Sequence, residues 1–281
     1  MISGGNATVL VANLDDAIQF YTERLGLQLT NRFGHQWATV WAGPCYWTGS
    51  AVAAGLTIGL QPASTDGPLP GTPGSVGFGL ETYMPLESVV ALFAERGVRT
   101  EGDMIRYEAG NVIRMRDRDG TPSYVNEFPP EMVASEGRPA GDTSRLISGG
   151  HAIVYVSDMD AGIRFYTSVL GMTLTNRFDN HFATAEAGTL LLGIHPRTTF
   201  APSPGTRGSV VLGLTIDEPI ERVVSRLTTR GVRTNGPIVR AEQGDSIEIA
   251  DPDGNTIVLR EMAGDQATRS APRPPAHAGV A

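Results

Sequence analysis

The sequence predicts an α+β protein built by tandem duplication, each repeat a pair of βαβββ modules curling around a cleft. Three observations carry this. Residues 3–33, SGGNATVLVANLDDAIQFYTERLGLQLTNRF, recur as residues 148–178, SGGHAIVYVSDMDAGIRFYTSVLGMTLTNRF, at a constant offset of 145. Residues 70–80 (PGTPGSVGFGL) recur as 204–214 (PGTRGSVVLGL) at an offset of 134, which the GVRT and DRDG/DPDG segments keep. Within each copy, a strand, a helix and further strands follow one another twice in the same order. Agreement of whole blocks in fixed register marks an internal duplication. The eleven-residue change of offset marks an insertion in the first copy, within PCYWTGSAVAAG (44–55).

The elements read most clearly in the second copy. His151–Val156 alternates as a strand, and Asp158 is placed to cap a helix over residues 159–170. Met159, Ile163, Tyr166 and Leu170 share one face of that helix, and Gly171 ends it. Strands are expected at Thr173–Phe178, Phe182–Ala187, Thr189–His195 and Ser209–Ile216. Pro219 opens a second helix that stops at Gly231. Strands near Ile238–Ala241, at Ser246–Ala250 and at Thr256–Glu261 close the copy, the last two joined by the Asp253-Gly254 turn. The domains are therefore residues 1–128 and 148–263. Between them, 129–147 is rich in Pro, Gly and Ser and reads as a linker. Residues 264–281 lack apolar periodicity and read as a disordered tail.

Composition narrows the function. The chain has 281 residues, 41% hydrophobic and 19% charged, as in ordinary globular proteins. It has no apolar run of about 18 residues, and its start lacks the basic n-region of a signal peptide. A net charge of −8 without a basic cluster argues against nucleic acid as a partner. One cysteine, Cys45, excludes an internal disulfide and a multi-cysteine metal site, and fits a reducing cytoplasm. P-loop and G-x-S-x-G signatures are absent. What remains is a cytoplasmic protein, monomer or homodimer, acting on a small molecule and not on a membrane.

The block H-x-x-V-x-V-x-D…F-Y-T-x-x-L-G-M at 151–172, followed by DPDGN at 251–255 before a terminal strand, resembles the vicinal oxygen chelate superfamily. That superfamily includes glyoxalase I, bleomycin resistance proteins, fosfomycin resistance enzymes and extradiol dioxygenases. In its metal-dependent branches, the resemblance implies ligands on the first, fourth, fifth and eighth strands of a repeat. The matching positions here are His151 and Asn6, Leu192 and Ile58, Ser209 and Ser75, and Val258 and Tyr124. Of the eight, His151 alone is a good ligand, so the resemblance specifies the fold better than the chemistry.

The residues themselves offer another set. His151, His195 and Glu261 have the composition of a facial triad for a divalent metal (Fe, Zn, Mn or Ni), with Asn6, Gln61 and Glu127 as counterparts in the first copy. Strand alternation opposes it, because His195 and Glu261 each lie three residues past the implied ligand positions, which a bulge would reverse. Without metal, His151 is a candidate acid–base with Tyr155 and Arg260. The aromatic residues Trp37, Trp41, Trp47 and Tyr124, with Ser75 and Ser209, are candidates for contacting a planar ligand.

Two functions follow. The first is metal-independent binding of a planar metabolite or antibiotic, as in sequestration or resistance. The alternative is an enzyme (dioxygenase, isomerase or lyase) with its site around His151, with or without a divalent metal. The cleft forms either within one repeat or between the first module of one and the second module of the other. In the exchanged arrangement His151 faces Ser75 and Tyr124, and Asn6 faces Ser209 and Val258.

Overall fold

A computed structural model describes residues 2–45, 54–107, 110–128, 144–199, 201–242 and 244–261. The first repeat runs β1 (Ile2–Val11), α1 (Leu14–Gln19), β2 (Gln28–Phe33), β3 (Trp37–Pro44), β4 (Gly55–Pro62), β5 (Val76–Thr82), α2 (Leu86–Glu95), β6 (Arg99–Tyr107), β7 (Gly110–Arg116) and β8 (Pro122–Glu127). The second repeats the order with β9 (Gly149–Val156), α3 (Met159–Arg164), β10 (Thr173–Phe178), β11 (Phe182–Ala187), β12 (Leu190–Pro196), β13 (Val210–Ile216), α4 (Ile220–Thr229), β14 (Arg233–Thr234), β15 (Ser246–Ala250) and β16 (Thr256–Glu261).

The helices form where caps and periodicity demand. Asp158 accepts from the Ala161 amide at 2.8 Å, and Asn13 from that of Asp16 at 3.1 Å. In α4, Ile220, Val223 and Leu227 bury one face, as Leu86, Val89 and Phe93 do in α2. The helix expected over 159–170 changes pitch part-way: α3 ends at Arg164 and a π-turn spans Phe165–Val169, as another does at Phe20–Arg24. Gly171 follows with φ of 83°, a conformation that favours glycine. The strand expected near Ile238–Ala241 is reduced to one bridge, Val239 to Ser246, whereas its counterpart β6 has nine residues.

The sheets pair across the repeats. β1 runs antiparallel to β13 and parallel to β4, and β13 runs parallel to β16. In the other half, β9 runs antiparallel to β5 and parallel to β12, and β5 runs parallel to β8. Each half therefore joins the first module of one repeat to the second module of the other. This is the exchanged arrangement. The two modules of one repeat touch near the helix ends, where Tyr21 donates to Asp117, and Tyr166 to Asp251, both at 3.0 Å and both buried. Alternation along the strands gives the apolar core to one face and leaves the other face to two clefts. The end of the expected linker joins the packing, for Leu146 and Ile147 are buried and the Ser148 amide donates to the Glu81 carbonyl.

Candidate functional site

Residues paired in register across strands share a face, so the pairings fix what each cleft contains. His151 on β9 pairs with Gly79 on β5, Gly79 with Tyr124 on β8, and Tyr124 with Arg114 on β7. On the other flank, Ile153 and Tyr155 pair with Gly193 and His195 on β12. His151, Tyr155, His195, Tyr124 and Arg114 therefore line one cleft. His195 belongs to this face, contrary to the expectation from counting beyond Leu192. Leu192 and Ile58 are fully buried in the core, one step out of phase with the cleft.

His151 is buried and its Nδ1 lies 3.1 Å from Oε1 of Glu81, which is fully buried on β5. The Cys45 thiol donates to the same oxygen at 3.0 Å. A carboxylate in this position accepts from an imidazole tautomer protonated at Nδ1. The other edge of the ring lies over two glycines. A Cβ on Gly79 would come within 3.4 Å of Nε2, and one on Gly193 within 3.3 Å. At Gly193 that carbon would also stand 2.9 Å from both His151 Cδ2 and Phe182, so both rings need this residue bare. Phe182 in turn packs against His195, ring centres 4.4 Å apart, and stacks on Phe178. His195 is held neutral: burial, then the neighbouring His151, lowers its pKa to about 3.

Toward the mouth, a cavity of about 90 Å³ is lined by Tyr124, Tyr155, Ile153, Glu101, Arg114 and Arg116. Its floor is Gly77, where an added Cβ would meet nothing within 4 Å. Burial, then the adjacent Tyr124, raises the Tyr155 pKa above 10.0, so Tyr155 stays a phenol at neutral pH. The space suits a few waters or a compact polar molecule, and it is well below a drug-sized pocket of roughly 300 Å³ or more.

The other cleft is centred on Asn6. Asn6 pairs with Gly213, and Gly213 with Val258, on the same face as Arg260. Trp37 lies over Gly59, and the Arg260 guanidinium carbon lies 5.2 Å from the Trp37 ring centre. Trp37 holds the place that Phe182 holds beside His151. Trp41 lies on the same face, opposite Thr57. The expected trio His151, Tyr155 and Arg260 is thus divided between two clefts.

The serines are structural in position. Ser75 donates to the Thr206 carbonyl at 3.0 Å and to the Asn255 side chain, and Ser209 donates to the Thr72 carbonyl at 3.1 Å. Gly79 and Gly213, not Ser75 and Ser209, are the fifth-strand residues opposite His151 and Asn6. Trp47 lies outside the described residues.

A family model described as the Glyoxalase/Bleomycin resistance protein/Dioxygenase superfamily matches residues 5–122 and 149–259. The chain belongs to that superfamily. A virulence protein of Salmonella typhimurium is 35% identical over 118 residues, covering 40% of this chain and 81% of its own length. Glyoxalase I from Zea mays superposes with a TM-score of 0.63 at 16% identity, over 93% of this chain and 92% of its own. A dioxygenase candidate from Bacillus subtilis gives 0.58 at 11%, over 93% and 86%. Identities this low show the shared fold alone.

Membership raises the question of a divalent metal, and the residues here do not fit one. The face around His151 Nε2 presents glycine on β5 and β12, and Tyr124 on β8. Glu261 lies in the other half of the molecule, where Oε2 accepts from the Ile220 amide at 2.8 Å at the start of α4. The set His151, His195 and Glu261 therefore never converges, and Phe182 packs against both imidazoles. Among the described residues, no group of three His, Cys, Asp or Glu side chains is arranged to hold a metal.

The residue that sequence reasoning missed is Glu81. A signal existed: SVGFGLET (75–82) carries one acid in an otherwise small and apolar strand, and its counterpart in the second copy is Thr215.

Proposed function

We propose that this superfamily member transfers protons to and from a compact polar substrate, with His151 as the acid–base. The buried Glu81–His151 hydrogen bond carries the reading. A carboxylate behind an imidazole fixes its tautomer and stabilises the imidazolium that forms when Nε2 takes a proton. Nε2 would accept a proton from the substrate and return it to another position, a balanced isomerisation or exchange. Tyr124 and Tyr155, on the same strand face as His151, line the adjacent cavity and would supply hydroxyl donors toward a developing oxyanion. Phe182 packs at a tilt against the imidazole, ring centres 6.0 Å apart, and helps keep bulk water from it.

The test is deuterium incorporation from D2O into a panel of small carbonyl compounds and 2-oxo acids, followed by NMR. Saturable exchange that is lost in His151→Gln and reduced in Glu81→Gln supports the reading. Exchange equal in wild type and His151→Gln, or none across the panel, removes it.

A binding-only role draws on a different observation, the aromatic face of the Asn6 cleft with Trp37 and Trp41. It suits a planar ligand better than the small cavity near His151 does. Equilibrium dialysis with fused-ring antibiotics tests it, and no retention would remove it.

A further inference from the structure

We propose that the Asn6 cleft is a second, independent binding site, for a small aromatic carboxylate centred on Arg260. Arg260 pairs in register with Thr215 on β13 and Ser246 on β15, which puts it on the cleft face. Its guanidinium lies against the Trp37 ring, and that ring covers Gly59 next to the Asn6 side chain. The side chain is partly buried, and burial lowers its pKa from 12.5.

The nearby acids are already engaged. Glu261 accepts from the Ile220 amide, Glu248 pairs with Arg207 at 2.9 Å, and Asp245 pairs with Arg240. Among the described residues, no carboxylate forms an ion pair with Arg260. A partly buried guanidinium gains from a ligand that supplies the missing counter-ion. The planar fork matches a carboxylate through two parallel hydrogen bonds.

The neighbouring tryptophans choose an aromatic acid over a bare anion. Trp37 and Trp41 stand on the same face of β3, and both are partly exposed. The cleft is also reachable: Asn6, Gly213, Thr215, Val258 and Arg260 are partly exposed, whereas His151, Ile153 and Tyr155 opposite their own partners are buried. The duplication has thus produced two unlike clefts. One holds an imidazole backed by a carboxylate; the other holds a guanidinium backed by an indole.

The experiment is calorimetric titration of the intact protein with benzoate, and with benzamide as its neutral counterpart. Saturable benzoate binding is expected, with benzamide inert. Arg260→Gln should weaken benzoate roughly tenfold or more, and Arg260→Lys, which keeps charge but loses the fork, should weaken it less. His151→Gln should leave benzoate affinity unchanged, which separates this site from the proton-transfer reading. Absence of saturable binding in the wild type, equal affinity for benzamide, or benzoate affinity unchanged in both Arg260 variants would overturn the proposal.

Discussion

Glu81 Oε1 and His151 Nδ1 stand 3.1 Å apart on neighbouring antiparallel strands drawn from different repeats, both side chains buried. The cleft needs both copies: the first supplies the acid and the second the imidazole. Cys45, from the end of β3, adds a thiol donor to the same carboxylate oxygen.

Exchange of modules makes a prediction about fragments. Residues 148–263 alone carry β9–β12 without β5–β8, and β13–β16 without β1–β4, so both inner strands β9 and β13 lose their partners. Unpaired sheet edges seek another chain. Native mass spectrometry of this fragment should show a dimer, in which two copies complete each other, or insoluble protein. A folded monomer would contradict the topology.

Gly193 should tolerate no side chain. Its added Cβ would crowd His151 Cδ2 and Phe182 at 2.9 Å, and overpacking of this kind costs about 1–3 kcal/mol. Thermal denaturation of Gly193→Ala should show that loss, while Gly77→Ala, whose Cβ meets nothing within 4 Å, should lie within about 1 kcal/mol of wild type.

The buried turn acids predict a pH dependence with a definite sign. Burial raises the pKa of Asp117 and of Asp251 above 3.8, although hydrogen bonds from Thr121 and Tyr21, and from Asn255 and Tyr166, oppose it. The folded state therefore binds protons more tightly than the unfolded one at these positions. Their contribution to stability is present below pH 3.8 and falls as pH rises through the folded-state values. Asp251→Asn should flatten that part of a urea-denaturation profile against pH, and an unchanged slope would exclude Asp251 as its source.

His195 acts in the opposite sense. With its folded pKa near 3 against 6.5 unfolded, the unfolded state takes up the proton first. Stability should fall as pH drops from 6.5 toward 3, by at most about 1.4 kcal/mol per pH unit from this group. His195→Gln should remove that increment, measured by denaturation at pH 7 and pH 5.

Much of this was legible in the sequence. The repeat, its two offsets and the order of strands and helices follow from block similarity and periodicity, and alternation along β9 puts Tyr155 on the face of His151. Register was not legible, because it depends on which strands pair, and one residue of slip reverses a face. Counting along the strands puts Leu192 and Ile58 in the cleft although both are core, and puts His195 away from it although it lies on the cleft face. Sequence similarity groups Arg260 with His151 because it does not reveal that the modules exchange partners. The π-turns also escaped notice: Tyr21 and Tyr166 fit a helical face, while their hydrogen bonds to Asp117 and Asp251 are tertiary. Glu81 was missed for the same reason, since its meaning lies in a strand from the other repeat.

For His151 to act as the base through Nε2, Glu81 must hold the proton on Nδ1. Long-range proton–nitrogen NMR on the intact protein, with imidazole nitrogens labelled, reads this directly. The expected result is a neutral His151 protonated at Nδ1, with that preference lost in Glu81→Leu. Protonation at Nε2 in the wild type, or a tautomer indifferent to Glu81, would contradict it.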